Sequence, residues 1–485
     1  MQGIVIAGTH SGCGKTTITL GILAAMRKKG LKVQPFKAGP DFIDTGLHTL
    51  ITGRPSRNLD LWMCGAEYVR DCFYRHSEDA DMSVVEGVMG MYDGTFSTAD
   101  LAASLGVPVV LVIDAYGMAE SAGAVVKGFL EYSREARKHG STEGRAVLAG
   151  IIVNRVASER HYKRLRDGIR DIPVLGYLPR DLNFQISHRH LGLVVAEEQP
   201  IDAGEIDTLA AAVLEHVDIE AIIQGSGVRD QGSREKTRGP LASGPLPLTS
   251  SVRIAVASDK AFCFYYEDNL DLLRSLGAET VRFSPLSDNS IPPDTDALYI
   301  GGGYPELYAQ QLSNNQSMID SVRSFALQGG PVYGECGGFM YLTEGIFDFN
   351  GEFHSMTGII PVKTKMRKTR TRLGYREVLC RRDSIIGRAG DSLRGHEFHY
   401  SEIAYGTESL KRGSAEESGQ SISRDLKQGE IYSVKDGEGD YLCDEGYLVN
   451  NTLGSYIHIH FGSSPAAARN FVEYVLKCKS ERLKV

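Results

Sequence analysis

The chain has 485 residues, past the length at which one hydrophobic core keeps growing, so at least two domains are expected. Apolar residues at 42% and charged residues at 24% exclude a fibrous or largely disordered protein. Lysine and arginine number 53 against 61 aspartates and glutamates; the net charge of −8 argues against a general nucleic-acid or anionic-membrane binder.

No basic leader, apolar signal core or cleavage site precedes the first predicted strand. No later stretch reaches the ~20 apolar residues that span a bilayer, so a cytoplasmic protein without membrane contact is expected. The eight cysteines lack C-x-x-C spacing and fit neither a zinc site nor a disulfide framework.

In chain order, residues 4–7, 33–36, 83–85, 109–113, 148–153 and 173–175 are predicted strands, apolar on both faces as in a parallel sheet covered by helices. Helical composition fills 15–29 and the segment after Ala119. Residues 224–251 are dense in Gly, Ser, Pro and charge and read as a linker. A second alternating pattern follows, with strands at 253–257, 280–283, 297–300 and 331–334 and helices at 267–275 and 315–327. Beyond 350 more polar strands take over, a hydrophilic insertion at 409–439 reads as a surface loop, and a strand at 455–461 and a helix after Pro465 close the chain. The expected fold is α/β: a parallel-sheet domain at 1–222, a linker at 223–251 and a second α/β domain at 252–485.

The first predicted strand runs into Gly8-Thr9-His10-Ser11-Gly12-Cys13-Gly14-Lys15-Thr16-Thr17 and then a helix. Backbone N–H groups of such a loop, with the positive end of the helix, cradle phosphate oxygens. Gly12, Gly14, Lys15, Thr16 and Thr17 are therefore the candidate nucleotide-binding residues, with Lys15 reaching the β/γ oxygens and Thr16 ligating Mg²⁺. The usual first glycine of this loop would fall at Thr9, whereas the glycine stands at Gly8. Carboxylates follow at strand ends: Asp41 and Asp44 in Lys37-Ala-Gly-Pro-Asp-Phe-Ile-Asp44, then Glu86 and Asp93 after the strand at 83–85. Strand carboxyl ends at the crevice of an open α/β sheet are where ligands bind, and these residues are candidates to complete a metal shell. Asp41 and Asp44 beside Gly-Pro also suit a turn. Asn154, closing the strand at 148–153, fits a reader of the adenine edge and equally a turn former.

Residues 331–338 read Pro-Val-Tyr-Gly-Glu-Cys336-Gly-Gly, a buried strand, a cysteine between small residues and a helix start. This is a nucleophile elbow with sulfur in place of oxygen. The helix N-terminus is expected to lower the thiol pKa, and Gly337 N–H to meet a developing oxyanion. Gly301-Gly302-Gly303 after another strand offers a second donor, Gly303. The strand at 455–461 carries His458 and His460 on one face, candidates for the base and its neighbour. Lys363, Lys365, Arg367, Arg370 and Arg372 alternate in a segment read as a strand, either a cationic face for an anionic substrate or a solvated edge.

The loop at 8–16 with Lys37-Ala-Gly-Pro-Asp-Phe-Ile-Asp44 resembles the dethiobiotin-synthetase-type ATPase domain. Gly-Glu-Cys336-Gly-Gly with His458 resembles a class I glutamine amidotransferase. Their order, with Gly301-Gly-Gly-Tyr-Pro-Glu306, Leu373-Gly-Tyr-Arg-Glu377 and Gly395-His-Glu-Phe-His-Tyr-Ser401, is similar to the cobyrinic acid a,c-diamide synthase family. The resemblance implies an N-terminal P-loop domain joined to a class I glutamine amidotransferase-like domain. It implies ATP- and Mg²⁺-dependent amidation of the a and c acetates of a polycarboxylate tetrapyrrole, with glutamine as nitrogen donor. Carried over, Lys15 and Thr16 hold ATP and magnesium, Asp41 and Glu86 the metal, and Asp44 and Asp93 serve the substrate side. Cys336 is the nucleophile and His458 its base. The family of amidotransferases usually shows His-x-Glu, where this chain has His460, so the group orienting His458 is left open. Hydrogenobyrinic acid or nickel sirohydrochlorin as substrate, a ParA-like switch ATPase with an inactive amidotransferase module, and a homodimer are also left open.

Overall fold

The computed structural model describes residues 2–135, 146–182, 184, 188–189, 192–193, 201–227, 251–369, 371–404 and 431–482. Two compact units divide the chain, Met1–Gly239 and Pro240–Val485.

In the first unit, mostly apolar runs make largely buried strands, the first four buried from end to end. The strands are β1 (Gly3–Gly8), β2 (Val33–Ala38), β3 (Arg57–Leu59), β4 (Met82–Glu86), β5 (Val109–Asp114), β6 (Leu148–Val156) and β7 (Val174–Pro179). All pair in parallel, in the order β3-β2-β4-β1-β5-β6-β7. The three-residue β3 is an addition to the predicted set, too short and too polar to show as an apolar run. Helices α1 (Lys15–Lys28), α2 (Ile43–Thr52), α3 (Leu61–Ser77), α4 (Thr98–Leu105), α5 (Ser121–Glu135) and α6 (Glu159–Gly168) connect the strands. A short hairpin of β8 (His188–Arg189) and β9 (Gly192–Leu193) follows, then α7 (Ala203–His216) and α8 (Ile219–Gly225). Strands β2 to β4 lie on one side of β1 and β5 to β7 on the other. The loop leaving β1 therefore opens at the switch in strand order, where an open α/β sheet leaves a crevice.

Residues expected to begin the linker are folded. Gly3 N donates to Ser226 O at 2.9 Å, and Gln2 bridges Gly227. Residues 228–250 of the expected linker lie outside the described residues.

The second unit has β10 (Val252–Ala257), α9 (Glu267–Ser275), β11 (Ala278–Phe283), β12 (Ala297–Ile300), α10 (Ala309–Asn314), α11 (Gln316–Leu327), β13 (Val332–Glu335) and α12 (Gly337–Leu342). Then come β14 (Thr343–Phe347), β15 (Phe353–Ser355), β16 (Ile360–Met366), β17 (Arg372–Cys380), β18 (Ser392–His399), β19 (Ser401–Ala404) and β20 (Tyr432–Asp436). The chain ends in β21 (Tyr441–Glu445), β22 (Tyr447–Val449), β23 (Thr452–Ser455), β24 (His458–Ile459) and α13 (Pro465–Arg482). The main sheet runs β11-β10-β12-β13-β23-β22, parallel except for β22. A five-stranded antiparallel sheet, β21-β20-β17-β18-β24, and a four-stranded mixed sheet, β15-β14-β16-β19, complete the unit.

Two expectations change here. Residues 409–430 of the expected insertion lie outside the described residues, but its C-terminal part is β20, where Tyr432 and Val434 are buried and pair with β17. The strand expected at 455–461 is two strands in two sheets. Ser455 pairs with Glu335 in the main sheet, and His458 pairs with His396 in the antiparallel one. The break is stabilised locally: the half-buried Glu445 accepts from Ser455 Oγ at 2.6 Å and Tyr456 N at 2.8 Å, and Ser455 Oγ accepts from Ile457 N at 3.1 Å.

Candidate active site

In the first unit the loop after β1 wraps onto the N-terminus of α1. Gly12 and Gly14 take φ of 80° and 98°, the left-handed region that suits glycine. Asn154, at the end of β6, donates through Nδ2 to Cys13 O at 3.0 Å, and Arg155 donates through Nη2 to Gly12 O at 2.7 Å. Asn154 thus supports the loop directly, which the adenine-reader expectation did not include. Lys15 folds back to His10 O at 3.3 Å, and burial lowers its pKa. Thr17 sits half-buried in the first turn of α1. Beside the loop a cavity of about 450 Å³ is lined by Tyr116, Met118, Arg155, His161, Arg164 and Arg180, among others.

Behind the loop Thr16 Oγ1 donates to Glu86 Oε1 at 2.7 Å. Glu86 is fully buried at the end of β4, a costly place for a carboxylate without cations. Lys37, ending β2, supplies one: Nζ lies 3.0 Å from Glu86 Oε1, 2.5 Å from Asp44 Oδ2 and 3.3 Å from Gly87 O. His48 Nε2 pairs with Glu86 Oε2 at 2.7 Å and its Nδ1 lies 3.2 Å from Ser56 Oγ. One lysine serving two buried carboxylates leaves them unequal. Despite its burial Glu86 is held well below the usual carboxylate range by Lys37 and His48, whereas burial and the Glu86 charge push Asp44 up to about 8. Lys37 is held above its ordinary value by the same two charges, against its burial. Asp41 caps α2, its Oδ1 accepting from Ile43 N and Asp44 N, both at 2.8 Å. Asp93 is exposed, and its Oδ2 accepts from Gly90 N at 2.8 Å.

Sequence reasoning brought Thr16, Asp44 and Glu86 to this place and missed Lys37 and His48. The signal was available: Lys37 is a cation ending an apolar strand, and His48 stands four residues after Asp44, on the same buried helix face.

In the second unit β12, β13 and β23 are parallel neighbours, so their carboxyl ends share one edge. β12 ends in the Gly301-Gly302-Gly303 turn and β13 in Cys336, and β23 leads across to His458. Cys336 takes φ 49° and ψ −102°, a strained conformation for a non-glycine residue, and starts α12. Its N donates to Ser455 O at 2.7 Å, and its thiol faces Phe398 O at 3.8 Å. A Cβ on Gly302 would lie 2.3 Å from His458 Cε1 and 3.0 Å from Nε2, while one on Gly337 would lie 3.1 Å from Gly303 N. The imidazole and the residue after the cysteine therefore both abut the glycine turn, with the Gly303 and Gly337 backbones side by side.

Burial pushes the Cys336 thiol up, with the Glu306 charge adding to it and Gly337 N–H opposing. This reverses the expected lowering: a six-residue helix in an apolar pocket does not offset desolvation. The thiol rests protonated and needs a base. His460 turns elsewhere, its Nδ1 accepting from Gly462 N at 3.0 Å and its ring packing on Tyr266 at 4.5 Å. His458 Nδ1 lies 3.7 Å from Glu335 Oε2.

The two sets of alternating cations belong to separate strands. Lys363 and Lys365 are on β16 and Arg372 on β17, in different sheets. Lys363 faces Glu344, Arg367 faces Glu402 and Arg372 faces Glu397, so carboxylates of the chain neutralise them. Arg370 lies outside the described residues. Among the described residues no helix is long and apolar enough to cross a membrane.

Residues 4–193 match the CobQ/CobB/MinD/ParA nucleotide binding domain, and residues 253–466 match the CobB/CobQ-like glutamine amidotransferase domain. The chain is 43% identical to the cobyrinate a,c-diamide synthase of Syntrophotalea carbinolica over 99% of both chains. It is 39% identical to that of Thermoplasma volcanium, over 99% of this chain and 98% of the relative. With the enzyme of Salmonella typhimurium the identity is 38% over 97% of both chains. Since both halves match in this order and the relatives span the sequence nearly end to end, the chain belongs to the cobyrinate a,c-diamide synthase family and is an ATP-using, glutamine-dependent carbon–nitrogen ligase.

Proposed function

We propose that this enzyme amidates the a and c acetate carboxylates of cobyrinate in the cytoplasm, through two chemistries that depend on each other. A carboxylate is a poor electrophile, so the first unit transfers the γ-phosphoryl of ATP to the acetate oxygen, giving an acyl phosphate with a good leaving group. Ammonia then attacks the acyl carbon and phosphate departs. Backbone N–H groups at 12–17 and Lys15 hold the phosphates, and the nucleoside extends toward the cavity beside Arg155, where Asn154 has its oxygen left to accept from the adenine amino group. Asp44 and Asp93 stand on the substrate side. Lys37 holds Glu86 and Asp44 in register.

Thr16, Asp41 and Glu86 present a hydroxyl and carboxylates, the all-oxygen donor set that suits Mg²⁺, and Thr16 and Glu86 are already 2.7 Å apart. When bound, the ion neutralises charge on the transferring phosphoryl group.

In the second unit His458 takes the Cys336 proton, and the thiolate attacks the glutamine side-chain carbonyl. The oxyanion forms toward Gly303 and Gly337 N–H, and His458 returns the proton to the departing ammonia. Water then hydrolyses the thioester to glutamate. The observation that carries this reading is the left-handed Cys336 elbow beside the glycine turn on which His458 also rests.

The test is mass spectrometry of products from cobyrinate, hydrogenobyrinate and nickel sirohydrochlorin, each with ATP, Mg²⁺ and glutamine. Double amidation of cobyrinate is expected, and Cys336→Ser should accept ammonia but not glutamine. Amidation of another tetrapyrrole alone would replace the substrate, and glutamine-supported product from Cys336→Ser would remove the nucleophile.

A further inference from the structure

The carboxylate that faces His458 does not follow it in sequence but precedes the nucleophile. Glu335 ends β13, directly before Cys336, and is 1% exposed. Its Oε1 accepts from Tyr333 Oη at 2.6 Å and from Ile459 N at 3.1 Å. Its Oε2 accepts from Tyr299 Oη at 3.0 Å and faces His458 Nδ1 at 3.7 Å. The backbone donor is the residue after His458, so Glu335 holds the main chain of that strand by a hydrogen bond and faces the ring of its histidine. We infer that Glu335 is the positioning residue that orients His458, replacing the acidic group two residues beyond the histidine. The inference rests on the assignment of Cys336 and His458 as nucleophile and base.

The surroundings fix the carboxylate by donors on both oxygens. Tyr299 and Tyr333 are buried, and with the Glu335 charge beside them their phenols are held well above the usual range, so they remain donors. On the other face of His458 the ring of His396 stacks at 5.0 Å and 15°. Burial and His458 hold His396 far below the ordinary histidine range, so it stays neutral. Position also matters: because Glu335 and Cys336 are consecutive and Glu335 pairs with Ser455 in the β13–β23 ladder, the same backbone register that sets the nucleophile sets the group behind its base.

The test compares Glu335→Gln, which keeps the shape and an accepting oxygen but removes the charge, with Tyr299→Phe, which frees Oε2 of its phenol. Steady-state glutamine hydrolysis and ammonia-fed synthesis are measured on both, with thermal melts and with Cys336→Ser alongside. Glu335→Gln should lower kcat for glutamine by about 10²–10⁴-fold, the range of a general base, with little change in KM. Ammonia-fed synthesis should persist. Tyr299→Phe should move kcat and not KM, and it carries the test if Glu335→Gln does not fold. A kcat unchanged in the folded variants, a loss confined to KM, or a larger kcat loss in His460→Gln overturns the inference. Glutamine hydrolysis by Cys336→Ser would instead overturn the reading beneath it.

Discussion

Gly14 and Asn154 are packed so closely that a Cβ on the glycine would stand 1.9 Å from Asn154 Nδ2. The same nitrogen holds the phosphate loop through Cys13 O, so a clash there is transmitted to the loop. Gly14→Ala should raise KM for ATP by more than about tenfold, since it adds this clash to a positive φ that alone costs a non-glycine residue about 1–2 kcal/mol. Gly14→Ala with Asn154→Ala should recover part of the loss, the φ component remaining. A double mutant as impaired as the sum of the singles would show the contact to be irrelevant.

Lys37 stands between two carboxylates with hardly any water around them. Lys37→Met leaves Asp44 without its cation and Glu86 with only His48 and Thr16, and should destabilise the first unit by about 3–5 kcal/mol. Lys37→Met with Asp44→Asn should be more stable than Lys37→Met alone, because the buried carboxyl that Lys37 no longer serves is replaced by a neutral amide. Chemical denaturation of the three proteins checks the order, and glutamine hydrolysis should survive in all of them.

Gly302 is needed for the space that His458 occupies. Gly302→Ala puts a methyl 2.3 Å from His458 Cε1, and displacing the base by about 1 Å should cost about 100-fold in glutamine hydrolysis. Ammonia-fed synthesis is the control reaction, and equal loss in both assays would refute a local effect.

Burial holds the His460 pKa down at about 4, against an ordinary 6.5. The unfolded chain therefore binds this proton first, and stability should fall as pH drops from about 6.5 to about 4, then level off. The contribution is on the order of 3 kcal/mol, from about 1.4 kcal/mol per pKa unit. Melts of wild type and His460→Gln across this range should show the shallower slope in the variant.

Much of the fold was legible because both main sheets are parallel and their strands apolar on both faces. Residues 109–113 and 297–300 needed no further context. Glu86 was legible for the converse reason, a charge ending an apolar run. β3 was not, because Arg57-Asn58-Leu59 is buried by its neighbours and not by its own composition. The strand at 455–461 misled because its alternation continues through Tyr456-Ile457, while side-chain bonds from Ser455 and Glu445 turn the backbone between two sheets. Glu335 was hidden for a related reason. Its closeness to His458 is a relation between residues 123 positions apart, which no local spacing can encode.

The crossing at Tyr456-Ile457 makes the distance between nucleophile and base a matter of residue count. Ser455 is locked to Glu335 on one side and His458 to His396 on the other, with two residues between the anchors. Lengthening or shortening that bridge by one residue would present Ile457 or Ile459 where the imidazole belongs. Over evolutionary time this short stretch should therefore refuse insertions and deletions, the opposite of the habit of a surface loop.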